Sequence, residues 1–341
     1  MNRREFLAAA AVSPALAMQQ QKPNVKLGVD LFSLRSQNWT PIQYLDYCAQ
    51  RKVQVVHFSE IRFIKNLEPD NLRQVRAHAE QLGIEVEIGM KSICPSSKMF
   101  EPAQGTAEEQ LGRMIDAANI VGSKIVRCVL GSADDRKNGQ IEAHIADMVR
   151  VLKNVRSKAM NQNVKIAIEN HAGDMQAREL KMLVEEAGTE FVGVCLDSGN
   201  PLWTIEDPHL TLETLHPYVL TSHVRDSVVW IVPQGAAVTW VQMGRGTINI
   251  NSYVKRFCEL CSGKALSLEI IVFGPRVLPY KDPAFWDGYR KTPAWEFERF
   301  VLLAEQGKPY QTEGWEAKDE AQRQREALDE SLQYTKRLLS A

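Results

Sequence analysis

The chain is short of the features that would assign it to a specialised class. Beyond an N-terminal signal-like stretch, no segment stays apolar for the roughly twenty residues that a membrane-spanning helix needs, so the sequence holds no further candidate for one. Neither sign of charge prevails: 41 Lys and Arg stand against 42 Asp and Glu, a net charge of -1. The two signs alternate along helix-like segments rather than forming a basic stripe, and this argues against nucleic acid as a partner. Cysteine occurs only at positions 48, 94, 128, 195, 258 and 261, several of them inside apolar strand or helix patterns, where they read as small buried hydrophobes. Cys258 and Cys261 form C-x-x-C, but within the helical pattern INSYVKRFCELC and with no second pair, which argues against a redox or zinc site there. There is no low-complexity tract and no repeat beyond an alternation of strand-like and helix-like segments.

What is present is a 341-residue chain, 44% hydrophobic, long enough to bury a large core as one domain or two. Its first residues read Asn2-Arg3-Arg4-Glu5-Phe6-Leu7, followed by an Ala-rich apolar stretch and the small-residue exit Ala15-Leu16-Ala17. That is the layout of a twin-arginine export signal over residues 1–17, with a frayed amphipathic helix as the plainer reading. The expectation is a soluble mature protein in the periplasm or otherwise exported, folded and loaded with any metal before export.

From Val25 onward, eight strand-like segments alternate with helix-like ones. The strand candidates are KLGVDLFSL, VQVVHFSE, IEVEIGMKSI, KIVRCVLG, VKIAIENHAG, FVGVCLDSGN, VLTSHVRDS and ALSLEIIVFG, apolar enough to be buried on both faces. Repeated strand–helix units imply a parallel sheet, and eight in one chain predict an α/β fold, a closed (β/α)8 TIM barrel spanning residues 24–341 as a single domain. Two insertions are expected. Residues 228–243 carry two β-rich runs around Pro233-Gln234-Gly235 and predict a hairpin after strand seven. Residues 275–310, rich in aromatics such as Tyr280, Phe285, Trp286, Tyr289 and Trp295, follow strand eight and either cap the barrel mouth or pack over the last helix. The tail pattern ALDESLQYTKRLL is then the eighth barrel helix, delayed by the insertion.

Four polar residues end the last four apolar runs: Glu169, Asp197, His223 and Glu269. Their spacings of 28, 26 and 46 residues are one strand–helix unit each, once the hairpin is subtracted from the third. All four therefore fall at the C-terminal ends of barrel strands, where barrel enzymes place their chemistry. An isolated buried carboxylate shifts its pKa and neutralises, so three beside an imidazole imply a shared cation, the neighbouring sequence supplying no obvious compensating charge. An oxygen-rich set with one nitrogen suits Mn, Mg, Co or Zn.

With these residues in view, the chain resembles the xylose isomerase-like TIM-barrel superfamily of sugar isomerases and epimerases. The resemblance spans nearly all the sequence after residue 17. It rests on E-N-H-A-G at 169–173, L-D-S-G-N-P at 196–201, S-H-V-R-D at 222–226, M-G-R-G-T-I-N at 243–249 and S-L-E at 267–269. It implies that Glu169, Asp197, His223 and Glu269 bind one divalent metal, most often Mn, and that Glu169 and Glu269 move protons on opposite faces of a carbohydrate next to its carbonyl. His171 is placed to meet a substrate hydroxyl, or else is a loop histidine. Arg225 either steadies an enolate oxygen or pairs with Asp226 or Asp197. His57 and Lys91, ending strands two and three, line the mouth or are a core histidine and a solvated lysine. Asn200 stands where many ketose epimerases of the family have His, which changes hydroxyl recognition there. The same departure, and the missing histidine pair after His223, argue against the family's three-zinc nucleases. The implied activity is a metal-dependent isomerase or epimerase. A lyase or dehydratase on a 3-keto-glycoside or inosose starts from the same proton abstraction, and a non-catalytic sugar-binding barrel is the reading of another class. The insertions are the surfaces on which a homo-oligomer would form.

Overall fold

A computed structural model describes residues 24–139, 141–272, 274–310 and 319–340. The expected export signal lies outside the described residues.

Eight parallel strands close into a barrel: β1 (Lys26–Asp30), β2 (Val55–Phe58), β3 (Glu85–Ser92), β4 (Ile125–Val129), β5 (Lys165–Glu169), β6 (Val192–Asp197), β7 (Val219–Val224) and, after the hairpin, β10 (Ala265–Leu268), which pairs with both β7 and β1. Two antiparallel strands, β8 (Asp226–Val232) and β9 (Gly235–Val241), form the hairpin. The short strand β11 (Arg276–Leu278) adds to the free edge of β9. The two insertions therefore meet in one three-stranded sheet, a junction between segments that the sequence presents as separate.

The helices follow from local signals. Helix α1 (Pro41–Gln50) starts in a capping box of Thr40 with Gln43, short α2 (Ile61–Ile64) follows β2, and α3 (Pro69–Leu82) stops at Gly83 in the left-handed region. Helix α4 (Ala107–Val121) has a Thr106–Glu109 capping box and also ends on a left-handed glycine, Gly122. Helices α5 (Ile141–Gln162), α6 (Ala177–Ala187), α7 (Pro208–Leu215) and α8 (Ile250–Leu260) continue the ring. After β10 the chain makes α9 (Ala294–Gln306), which packs against β8, before α10 (Glu320–Ser340) takes the eighth place between α8 and α1. There Tyr334 donates to Asn251 at 2.6 Å, and Asp329 accepts from Tyr47 at 3.1 Å and from Arg51 at 2.8 Å. The insertion's aromatics pack largely on one another: Phe285 stacks on Tyr289 at 4.8 Å, Trp286 meets Phe297 edge-on at 4.9 Å, and Trp295 faces outward, 57% exposed.

Beneath the apolar runs lies a two-residue alternation. Val29, Phe58, Ile88, Val126, Ile168, Leu196, Val224 and Leu268 belong to the core that the strands share with the helices. On every one of these strands except β3 a neighbour in sequence is polar and buried: Asp30, His57, Arg127, Glu169, Asp197, His223 and Glu269. These fill the upper barrel interior with charge rather than hydrocarbon.

The loop after β9 is shaped by one carboxylate. Asp226 accepts from the backbone N–H groups of Gly244 at 3.1 Å and Gly246 at 2.9 Å, and from Ser227 at 2.8 Å. A Cβ on Gly246 would stand 1.9 Å from Asp226 Oδ1 and 2.4 Å from the Ser227 carbonyl. Gly246→Ala is expected to cost about 1–3 kcal/mol of stability through this overlap, measured as a lower urea midpoint at constant slope; an unchanged midpoint would mean that the loop is not held this way.

Candidate metal centre

Each of the four end-of-strand residues is aimed by its own turn. Asn170, the residue after Glu169, clamps β5 to β6, its side chain accepting from Asp197 N–H at 2.8 Å and donating to the Asp197 carbonyl at 2.9 Å. Asp197 Oδ1 accepts from the N–H groups of Gly199 at 2.7 Å and Asn200 at 2.8 Å, which fixes the orientation of the carboxylate. Ser198 ties the turn to β7 by donating to the Arg225 carbonyl at 2.7 Å and accepting from Arg225 N–H at 2.9 Å. His223 pairs in register with Asp197 on one side and Ser267 on the other, so Glu269, one step past β10, rises beside it. One ligand atom from each of Glu169, Asp197, His223 and Glu269 lies within 4.8 Å of the others, all four residues being buried.

Counter-charge is nevertheless at hand, contrary to the expectation from the adjacent sequence. Arg127, from β4, donates Nε–H to Glu169 at 2.6 Å and Nη1–H to the Met90 carbonyl at 3.3 Å. Arg225 bridges Asp197 and Glu269 through a single nitrogen, Nη2. Of its open alternatives, the pair with Asp197 is the one formed, Asp226 being occupied by the glycine loop. Burial raises the Glu169 and Glu269 carboxyls, but the arginines and His223 outweigh it and hold both below the usual range, Glu169 well below. For Asp197 burial wins, and its carboxyl is pushed up to about 6 despite Arg225.

His223 Nδ1 tests whether this set fits a cation. It is buried and stands 3.0 Å from Glu169 Oε2 and 3.4 Å from Glu269 Oε2, at ion-pair distance from both carboxylates. Burial lowers the imidazole's pKa, but its acidic neighbours outweigh it and hold it well above 6.5, so a divalent ion would take the place of its proton; three carboxylates and one imidazole are a donor set that fits such an ion. Cys195 is also near, and burial pushes its thiol up to about 12.

A polar layer that the sequence did not bring together lies beneath. His57 Nδ1 meets His223 Nε2 at 2.9 Å, and Asp30 Oδ2 is 3.5 Å from the same His223 nitrogen. Glu87 Oε2 lies 3.8 Å from His57 and accepts from Thr221 at 2.7 Å. His57 is thus fully buried behind the candidate ligand, where it orients the ring, rather than at the mouth. Arg127, Asp30 and Glu87 are the residues that sequence reasoning missed. Their one signal was a charge inside an apolar strand pattern, as in KIVRCVLG.

The remaining candidates divide. His171 Nδ1 meets the Gly131 carbonyl at 2.6 Å; a carbonyl can only accept, so Nδ1 carries the proton and Nε2 is an acceptor. Burial is the largest cause holding its pKa below 6.5. Asn200 donates to Glu169 at 3.2 Å and to the Asn170 carbonyl at 2.9 Å, leaving Oδ1 without a partner. Lys91 is not part of the cluster: it is exposed and paired with Glu101 at 2.6 Å, on the wall of a rim cavity of about 210 Å³. The irregular β3–β4 pairing between Gly89 and Ser92 breaks the alternation that would have turned it inward.

Residues 23–284 match the xylose isomerase-like TIM barrel family. The chain belongs to that family. Curated relatives include the 3-oxo-isoapionate decarboxylase of Pectobacterium atrosepticum, 24% identical over 53% of this chain and 59% of that protein. An uncharacterised protein of Escherichia coli, YihM, is 25% identical over 54% of this chain and 53% of its own length. The chain thus spans little more than half the length of the curated relatives it matches. Among solved structures of the same fold, a D-psicose 3-epimerase in the presence of D-fructose is 13% identical with a TM-score of 0.61, covering 93% of this chain and 100% of that one. A curated relative is thus a decarboxylase, and a sugar epimerase shares the fold. Among the described residues no helix is long and apolar enough to cross a membrane.

Two outcomes are expected from the geometry. Arg127→Met strands Glu169 as a buried charge and should lower stability by about 3–5 kcal/mol; a loss below about 1 kcal/mol in urea unfolding would show the pair to be effectively solvated. By nitrogen-15 NMR, His171 should be neutral at pH 7 with its proton on Nδ1, and its titration midpoint should fall below 6.5. A midpoint above pH 7 would contradict the burial assigned to it.

Proposed function

We propose that this protein is a divalent-metal-dependent carbohydrate isomerase or epimerase that works by removing a proton next to a carbonyl. The observation that carries the reading is the buried set of Glu169, Asp197, His223 and Glu269, with His223 Nδ1 facing the Glu169 and Glu269 carboxylates at 3.0 and 3.4 Å. Manganese is the favoured ion, with Mg, Co or Zn suited to the same donors. A divalent ion held there would polarise a carbonyl and its neighbouring hydroxyl and so acidify the C–H between them.

The chain's own residues supply the rest. Glu169 and Glu269 come from β5 and from beyond β10, separate positions on the barrel wall, and both are held ionised at neutral pH. Either serves as the base that takes the proton; the other first takes the proton of the neighbouring substrate hydroxyl and then returns it to the carbon from the opposite side, the first glutamate giving its proton back to the oxygen. For isomerisation the proton returns to the adjacent carbon instead. Arg225 stands between Asp197 and Glu269 and offers N–H donors to an oxygen that gains negative charge. His171 Nε2 and Asn200 Oδ1 accept hydrogen bonds from substrate hydroxyls, which orients the ring or chain.

The similarity to a decarboxylase supports a second outcome on the same centre, in which the electrons freed at the carbon next to a keto group come from a broken C–C bond or leave with a β-substituent. If the N-terminal segment acts as an export signal, a free or glycosidic sugar is the fitting substrate, sugar phosphates being chiefly cytoplasmic.

Glu169→Gln and Glu269→Gln should each lower deuterium exchange at the carbon next to the carbonyl by about 10²–10⁴-fold, followed by proton NMR in heavy water with manganese-loaded protein. Chelation should abolish exchange in the unmodified protein. Normal exchange in either variant would remove that glutamate from its role, and exchange that survives chelation would remove the metal from the mechanism.

A further inference from the structure

Two arginines divide the three carboxylates between them, and they are used differently. Arg127 has its Nε, Nη1 and Nη2 all engaged, by Glu169 and the Met90 carbonyl. Arg225, only 1% exposed, directs Nη2 at both of its carboxylates and leaves Nε and Nη1 buried with no acceptor. A guanidinium in the interior ordinarily satisfies most of its donors, because each unmet one forfeits its hydration.

The surroundings of Arg225 repeat the pattern. Its guanidinium lies over Trp240 at 4.4 Å, Trp240 stacks on Trp203 at 4.3 Å with 16° between the rings, and Arg276 of β11 covers the far side of Trp203 at 4.9 Å. Both faces of Trp240 are therefore occupied, and it has no free face for a sugar ring. Both indoles are more than nine-tenths buried, and both Nε1–H groups lack an acceptor. The pyrrole edge of Trp240 borders the Asp197–Asn200 turn: a Cβ on Gly199 would be 2.9 Å from Trp240 Cδ1 and 2.6 Å from Arg225 Cγ. One flank of the candidate centre thus holds three unmet donor atoms, Arg225 Nε and Nη1 and the Trp240 indole nitrogen, with Trp203 stacked behind them.

A flank made of donors selects a ligand that offers acceptors. A neutral hydroxyl both donates and accepts and must turn its hydrogen elsewhere, whereas a carboxylate presents only lone pairs and meets a guanidinium with charge-assisted bonds. We propose that the substrate of this site carries a carboxylate seated against Arg225 and the Trp240 N–H group, so that it is a keto derivative of a sugar acid rather than a neutral ketose. This rests on the proposed function above. The inserted sheet thereby gains a role in recognition, since Trp240 and Arg276 come from the hairpin and from β11 and hold the arginine whose donors read the acid.

An oxyanion at Arg225 has two sources, a carboxylate present in the bound substrate or an oxygen that becomes negative only during reaction. Matched probes separate them. With the manganese-loaded full chain, dissociation constants are measured by calorimetry for D-fructose against D-fructuronate and for L-sorbose against 5-keto-D-gluconate, each pair differing by a hydroxymethyl group against a carboxylate. Deuterium exchange is followed in the same samples. The expected result is that the acid of at least one pair binds about tenfold or more tightly than its neutral partner, and that Trp240→Phe, which keeps a ring and removes the N–H, cuts that preference severalfold. A fold defect would weaken both members together and leave the ratio in place. Equal or weaker binding of both acids overturns the proposal, and exchange on the neutral sugars in that case keeps the proposed function standing, with Arg225 serving the reaction's own oxyanion. Acid preference without exchange on any probe supports the carboxylate subsite while counting against proton abstraction.

Discussion

The centre depends on how a crowded set of buried charges is made tolerable inside a barrel. Glu169, Asp197 and Glu269 converge where water is excluded, and Arg127 and Arg225 stand among them at hydrogen-bonding distance. Such pairing rarely adds much net stability, since the desolvation it must offset is of similar size. What it does is fix geometry. With Glu169 held on one side by Arg127 and Glu269 on the other by Arg225, His223 is left between them with one nitrogen toward the carboxylates and the other against His57. The turns that place these residues, Asn170 across to Asp197 and Ser198 across to Arg225, hold that arrangement against the tendency of each charge to seek water.

Much of this was legible in the sequence, and the reasons are specific. Eight apolar runs separated by helix-length segments pointed to the barrel, because a parallel strand buried on both faces has a composition of its own. Glu169, Asp197, His223 and Glu269 stood out since each terminates such a run. Arg127, Asp30 and Glu87 did not, because a polar residue within or at the end of an early strand reads as an isolated exception until the sheet closes and brings it opposite another. Arg225 was open between an enolate contact and an ion pair; the structure places it in an ion pair with two nitrogens to spare. Lys91 was lost to a register irregularity, a feature set by neighbouring strands and not by its own segment. The contact between the two insertions was likewise out of reach, as Arg276 and Val238 pair only in three dimensions.

The inserted sheet also changes how the centre should be compared within its family. The barrel supplies the four converging donors, and a chain with the fold alone would present them to an open mouth. Here Trp240 from the hairpin and Trp203 from the turn after β6 close one flank as a stacked pair with an arginine on either side. Differences in substrate between relatives are therefore to be sought in the segments inserted after β7 and β10, where loops vary most freely on a constant scaffold.

The seam of the barrel has a consequence for how the molecule forms. Lys26 pairs with Ala265, the strand contact with the greatest sequence separation in the ring, and loop-closure entropy favours making such a contact late. Until β10 is seated between β1 and β7, the carboxylates and arginines lie on an open sheet with water on one face and keep their hydration. Closing the seam is therefore what takes these charges out of water, and the arginine pairs offset that dehydration in the folded molecule.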